Sequence, residues 1–257
     1  MVCEKTKFAM WATEARLLGL NATAFLFHLA LAVLCGVLGD VDTTFPLYYP
    51  FTDLTTGVVS IKFDGEFPMT VLFVLYFSVT ALFHLGNCLI WNDAYFSCLE
   101  KQHNPFRWVE YSITAPVMTS ILAYLVGSRN YLFIIASATL TLSTISFGFV
   151  LDKTKSKLSF LSGLAPFVVE FGLLAGSLFL TTNCFPRYVY MTLFTEFLLW
   201  SAFPTIAICD VMGYVEYFDG ESLYLVFSFL SKSVLAIVLL SKNALNDGIV
   251  RDSGGTC

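Results

Sequence analysis

Seven apolar stretches, each long enough to cross a lipid bilayer as a helix, recur along the 257 residues and leave few folds open. They run Leu17 to Gly39, Pro68 to Ile90, Pro105 to Gly127, Tyr131 to Leu151, Phe160 to Thr182, Tyr188 to Val211 and Ser222 to Leu240. At about 1.5 Å per residue, some 20 residues cover a hydrocarbon layer of about 30 Å. Composition agrees, with 57% hydrophobic and 13% charged residues and a mean hydropathy of +0.74. That much apolar surface has to be covered by lipid. The pattern predicts an all-α membrane protein, one domain over residues 1–257, with seven transmembrane helices in a single bundle.

The breaks between the stretches carry helix-boundary chemistry. Asn104 and Pro105 suit a cap and a first-turn proline, while Gly127 to Asn130 and Asn183 to Pro186 suit short turns. Glu4, Lys5, Lys7 and Arg16 precede the first apolar run and no convincing cleavage site follows it, so a retained first helix is expected.

Seven crossings put the two ends on opposite sides. The N-terminal side carries Lys5, Lys7, Arg16, Lys101, Arg107, Lys153, Lys155 and Lys157, eight cations, against Lys62, Arg129, Arg187, Lys242 and Arg251, five, on the other. The positive-inside rule therefore predicts a cytoplasmic N-terminus and an extracellular C-terminus. The long connection Asp40 to Phe67 then lies outside. Within it, Val58 to Phe63 followed by Asp64-Gly65 reads as a strand entering a hairpin turn, the alternative being an irregular polar loop.

The charges concentrate in the connections, which argues against nucleic acid as a partner. Seven cysteines include no CxxC pair, so neither a disulfide framework nor a zinc site is expected. A membrane zinc hydrolase would need several His and acidic ligands at one level. Only His28, His84 and His103 exist, and the expectation is that the chain is not an enzyme.

Function in an apolar bundle is sought where ionisable groups oppose their solvation preference. Those groups are His28, His84, Glu110, Glu170, Glu196 and Lys232, with Asp210 near a helix end. Lys232 lies ten residues beyond Ser222 and nine before Ser241, roughly 15 Å from either surface, too deep to snorkel. A desolvated amine condenses with aldehydes, so the position suits a Schiff base. The structural alternative is a lysine paired to a carboxylate for packing or transport.

Glu110 offers the counter-charge. Glu110, Thr114 and Met118 fall four residues apart and share one helix face, a pocket wall in outline. The other reading of Glu110 is an interfacial partner of Arg107. Ser228, one turn before Lys232, can hydrogen-bond a Schiff base or its counterion, or its own backbone. Glu196, Trp200 and Phe203 form a stripe at helical spacing, with Pro204 following. Such a stripe is usually plain core, yet this one carries a carboxylate.

Arg107-Trp108-Val109-Glu110-Tyr111-Ser112 in the third helix, with Ser228-Phe229-Leu230-Ser231-Lys232 in the seventh, resembles the heliorhodopsins. The resemblance extends over the whole chain, including Phe25-Leu26-Phe27-His28, Leu82-Phe83-His84 and the long first outer loop. It implies an inverted topology with a cytoplasmic N-terminus, the orientation that the charge count gives independently. It also implies all-trans retinal as a Schiff base on Lys232, with Glu110 as counterion and Met118 and Trp200 flanking the polyene. His28 and His84 match residues of a polar cavity linked to proton movement. Homodimers, formed partly through the first outer loop, are implied as well.

Two light-driven functions stand open. Many family members are non-pumping photosensors that would need an unknown signalling partner. Some members resembling this chain, from giant viruses of marine algae, conduct protons. Glu170 and Glu196 favour conduction, because a proton path needs titratable groups on both sides of the Schiff base. The expectation is a light-gated proton conductance with Glu196 as gate or relay, although both acids can also be neutral groups bonded to neighbouring helices.

Overall fold

The computed structural model describes residues 12–39, 44–181 and 187–240. The elements in chain order are helix α1 (Glu14–Leu38), strands β1 (Thr44–Thr52) and β2 (Val59–Pro68), then α2 (Met69–Leu85), α3 (Asn92–Glu100), α4 (Pro105–Leu125), α5 (Tyr131–Thr154), α6 (Lys157–Thr181), α7 (Arg187–Val211) and α8 (Tyr217–Leu240). Six of these helices are long and apolar enough to cross a membrane by composition. α4 is the further one of the bundle; its Arg107 and Glu110 dilute its apolarity, and both are buried.

The seven long helices close into a ring, each packed on the next and α8 returning to α1. Large aromatic and aliphatic side chains such as Phe73, Phe77, Leu122 and Leu174 fill the centre, whereas Leu26, Val37, Leu180 and Ile237 face outward with no protein cover. A continuous apolar exterior on a bundle with a packed interior is the surface that lipid covers.

Several boundaries differ from those the apolar pattern draws. α8 begins at Tyr217 rather than Ser222, and α5 runs on past Leu151 to Thr154. Hydropathy misses these turns because their charged residues point inward, where partners satisfy them. The connection before Asn104 holds α3, whose Tyr95, Phe96 and Leu99 lie on one side and pack with Leu17 and Tyr217. Between α2 and α3, Gly86–Ile90 form a π turn. A Cβ on Gly86 would stand 1.8 Å from the Trp91 ring, so only glycine allows that indole to fold back there.

The long connection forms an antiparallel hairpin, but its turn is not at Asp64-Gly65. Thr52 pairs with Val59, and the reversal spans Asp53 to Val58. Asp53 Oδ1 accepts from the Thr55 N–H at 2.8 Å and the Thr55 hydroxyl at 2.5 Å, and Gly57 takes φ +66°. An Asx turn closed by a left-handed glycine outcompetes the Asp-Gly pair. Asp64 is instead the extra residue of a bulge, since Leu47 pairs with Gly65 and Tyr48 with Phe63. The Thr55 hydrogen bonds hold the Asp53 carboxyl below its ordinary value. The Tyr48 N–H donates to Arg129 O at 2.8 Å, tying the hairpin to the turn between α4 and α5.

That turn uses Gly127 at φ +89°, and Asn130 caps α5 by accepting from the Leu132 N–H at 3.0 Å. Asn104 caps α4 through the Arg107 N–H at 3.1 Å, with Pro105 in the first turn. The expected turn at Asn183 to Pro186 lies outside the described residues. Cys35, Cys88, Cys98 and Cys209 are free thiols.

Candidate functional site

α8 carries Lys232 into the middle of the bundle, where its Nζ lies 2.5 Å from Glu110 Oε1 on α4. Both residues are 4% exposed. An ammonium at that depth is tolerable only beside an opposite charge, and a buried pair leaves a large penalty if either member is removed. The Tyr111 and Tyr76 rings stand 5.7 and 5.8 Å from Nζ and add a weaker cation–π attraction. Arg107 does not take Glu110. It is bound to Glu221, and to Asp152 at 3.3 Å.

One residue before Lys232, the Ser231 hydroxyl donates to Glu196 Oε2 at 2.6 Å and accepts from Trp200 Nε1 at 3.1 Å. Glu196 is fully buried on α7, and its Oε1 has no partner among the described residues. α4 and α7 run in opposite directions and each acid lies in the first half of its helix. Glu110 therefore belongs to the half of the bundle nearer α3, and Glu196 to the half nearer the hairpin.

Lys232 opens on a cavity of about 120 Å³, walled by Met118, Phe167, Trp200, Phe203 and Tyr76 and reaching Gly148 and Gly163 between α5 and α6. One water needs roughly 10–15 Å³ by that measure, so the space admits a larger molecule. Met118 is held by the Tyr76 hydroxyl at 3.1 Å. Phe203 stacks on Tyr224 with centroids 5.7 Å apart. Ser228 lines the same wall, beside Tyr111.

Glu110, Thr114 and Met118 share the inward face of α4, and the Thr114 hydroxyl donates to its own helix at Glu110 O, 3.0 Å. The His28 and His84 rings stack 5.4 Å apart on α1 and α2. Glu170 is set apart from both. It accepts from Thr141 at 2.7 Å on the far wall of the cavity, and no hydrogen bond among the described residues connects it with Glu196 or the histidines.

At the α3 end, Arg107, Asp152, Glu221, Asn104, Trp108 and Tyr217 form a buried network. Asp152 accepts from Trp108 Nε1 at 2.7 Å and Asn104 N at 3.0 Å, and Asn104 Nδ2 donates to Glu221 at 2.6 Å. The apolar pattern leaves Asp152 and Glu221 just outside the fourth and seventh stretches, and it places Arg107 in the first turn of the third, counted with the cations of the connections, so the burial of all three was missed. The cue was available: acidic residues directly abutting apolar runs on helices whose neighbour carries an arginine. Ser231 and Tyr76 were missed as well, since a lone hydroxyl in an apolar helix gives no signal.

A ring of seven membrane helices, with an amine–carboxylate pair buried beside an apolar cavity, defines a rhodopsin-like membrane protein. A heliorhodopsin family model matches residues 17–242, and the chain belongs to the heliorhodopsin family. No match was found among curated proteins. Among solved structures, the chain resembles the transmembrane domain of the Salpingoeca rosetta rhodopsin phosphodiesterase, with a TM-score of 0.65 at 15% identity over 88% of this chain and 82% of that one. It also resembles the thermophilic rhodopsin from Rubrobacter xylanophilus, with a TM-score of 0.62 at 19% identity over 89% and 95%. These likenesses show the shared fold.

The chain is thus an integral membrane protein of a light-sensing family that carries retinal through a lysine. An apolar aldehyde of that kind needs a desolvated amine, a fixed negative charge and an apolar slot. Lys232, Glu110 and the cavity wall of Met118, Trp200 and Phe203 supply them, so the residues present fit the group.

Proposed function

We propose that this chain is a light-gated proton conductance, with Lys232 as the chromophore attachment point, Glu110 as its counterion and Glu196 as the gate. The observation that carries the reading is the pair of acids flanking one buried nitrogen: Glu110 in contact at 2.5 Å, and Glu196 reached through Ser231 at 2.6 Å. Retinal, when bound, supplies light absorption and a change of shape; in this reading the dark isomer is all-trans.

The protein's own groups do the rest. Glu110 keeps a proton on the Lys232 nitrogen, because an opposite charge within about 4–6 Å favours the charged form. Loss of that contact frees the proton. His84 stands ready on the α3 half, with His28 stacked on it near the middle of the bundle, and Glu196 lies on the hairpin half. The Arg107, Asp152 and Glu221 network plugs the α3 end, which keeps a resting path closed. Glu170, bonded to Thr141 at the cavity wall, serves in this reading as a pocket group rather than a relay.

The N-terminus is cytoplasmic in this reading, following the lysine and arginine count. The hairpin then faces outward, with Val59, Ile61 and Phe63 exposed along one strand face as an apolar contact for a second copy. The chain is read as a conductor rather than an enzyme. Photocurrents across voltage and pH gradients test the conductance. Currents that reverse with the proton gradient support it, and an intact photocycle without current at any voltage favours a sensor with a signalling partner.

A further inference from the structure

The hydrogen bonds around His84 run in one direction only. Trp91 Nε1 can only donate, and it meets Asn87 Oδ1 at 2.9 Å. That fixes the Asn87 amide, so the Asn87 atom facing Asn21 is Nδ2, at 3.3 Å from Asn21 Oδ1. From the other end, the carbonyl of Leu17 can only accept, and it meets Asn21 Nδ2 at 2.9 Å. Both ends therefore require the same Asn21 orientation, with Oδ1 turned inward. His84 Nδ1 lies 2.9 Å from that oxygen, which has no proton to give, so Nδ1 must be the donor. In the neutral ring the bare nitrogen is then Nε2.

His28 is set the same way by a different partner. Its Nδ1 stands 2.7 Å from the carbonyl of Ala24, again a group that only accepts. Its Nε2 is buried with no hydrogen-bond partner among the described residues. Two stacked rings, 5.4 Å apart and 12° from parallel, are thus both proton-loaded on Nδ1 and bare on Nε2. Both lie within electrostatic reach of Lys232.

From the chain of bonds that runs from Leu17 directly, and from Trp91 through Asn87, to the Asn21 amide and from its Oδ1 to one ring nitrogen, we infer that Asn21 and Asn87 are positioning residues that lock His84 with Nε2 as its proton-accepting atom. The π turn is what makes this possible: it brings Asn87 inward and returns Trp91 over Gly86 to hold the Asn87 amide. A proton leaving the Lys232 nitrogen adds to a bare Nε2, and the resulting imidazolium keeps its Nδ1–H on Asn21 Oδ1 or Ala24 O. No second rearrangement is needed before the proton moves on. Two cations in stacked rings would repel, so the pair takes one proton at a time. The inference rests on the proton-path reading for its purpose, but the locked tautomer stands apart from it.

The test is nitrogen-15 NMR of histidine-labelled, retinal-loaded protein in the dark, with His84 assigned by comparison with His84→Gln. The expected result is a protonated Nδ1 and a bare Nε2 on His84; a protonated Nε2 with a bare Nδ1 overturns the inference whether or not photocurrents are found. Asn21→Leu is expected to mix the two tautomers. It should also slow light-induced loss of the visible band by at least about tenfold, a fraction of what a well-placed acid–base group contributes. Asn21→Asp keeps an acceptor at the same place and should retain the wild-type tautomer. Trp91→Phe, which frees the Asn87 amide to turn, gives a second route if Asn21→Leu does not fold. A His84 spectrum unchanged in both Asn21→Leu and Trp91→Phe contradicts the positioning role.

Discussion

Ser231 Oγ lies 2.6 Å from Glu196 Oε2, one residue along α8 from Lys232, and so joins α8 to the buried acid of α7. The second oxygen of Glu196, Oε1, has no hydrogen-bond partner among the described residues, and the residue is completely buried. A carboxyl in that state responds strongly to any change in the charge beside it. Glu196→Gln is expected to abolish photocurrent while leaving a coloured, folded protein. Ser231→Ala should reduce the current less, because Trp200 remains in place. Patch-clamp recording with absorption spectra of the same variants checks both, and a full current from Glu196→Gln removes the gate role.

Glu110→Gln leaves the Lys232 cation without its partner. Breaking a buried pair by removing one member costs about 3–5 kcal/mol. Part of that cost is avoided by losing the proton, so the proton affinity of the Lys232 nitrogen should fall and the visible band should shift. A spectrophotometric pH titration reads this directly. An unchanged band and midpoint would show that another group balances the charge.

The Arg107 network should matter to stability more than to colour. Arg107→Ala strands Glu221 inside the bundle, again at about 3–5 kcal/mol, and leaves Asp152 only Lys155, at 3.5 Å, as a cation partner. The expected outcome is a large drop in thermal midpoint, or failure to express, together with a rise in dark leak where protein survives. Asp152→Asn keeps the shape but weakens the pairing, and should fall between. A wild-type thermal midpoint for Arg107→Ala contradicts the sealing role.

Seven helices were legible in the sequence because lipid imposes one rule on every crossing, a run of apolar residues of bilayer length. Lys232 and Glu110 were legible for the converse reason, since each violates that rule. What the pattern could not show was pairing across helices. Arg107 and Glu110 sit three apart on α4, and spacing alone makes them partners; only the bundle reveals Glu221 and Asp152 competing for the guanidinium. The hairpin turn was misplaced for a related reason. Asp64-Gly65 is a strong local signal, but strand register across Leu47 and Tyr48 turned it into a bulge. Asn21 carries no sequence mark at all and Ser231 only a place in the seventh-helix motif with no role attached; what each does depends on what lies opposite.

At the hairpin tip, the Asp53 carboxyl is held low by the Thr55 N–H and hydroxyl. A depressed carboxyl contributes order above its unfolded value of about 3.9, and that contribution is lost as pH falls through the lower folded value. NMR titration should find Asp53 below a free aspartate, and Thr55→Val, which removes the hydroxyl but keeps the backbone N–H, should bring it part of the way back up. No difference between the two proteins would contradict the Thr55 hydroxyl as its main cause.

The most direct test is to reduce the coloured protein with borohydride, digest it, and weigh the α8 peptide. The account predicts one retinyl addition on Lys232, and no visible band from Lys232→Ala. A coloured preparation whose Lys232 peptide is unmodified contradicts the assignment on which the site and its proton path are built.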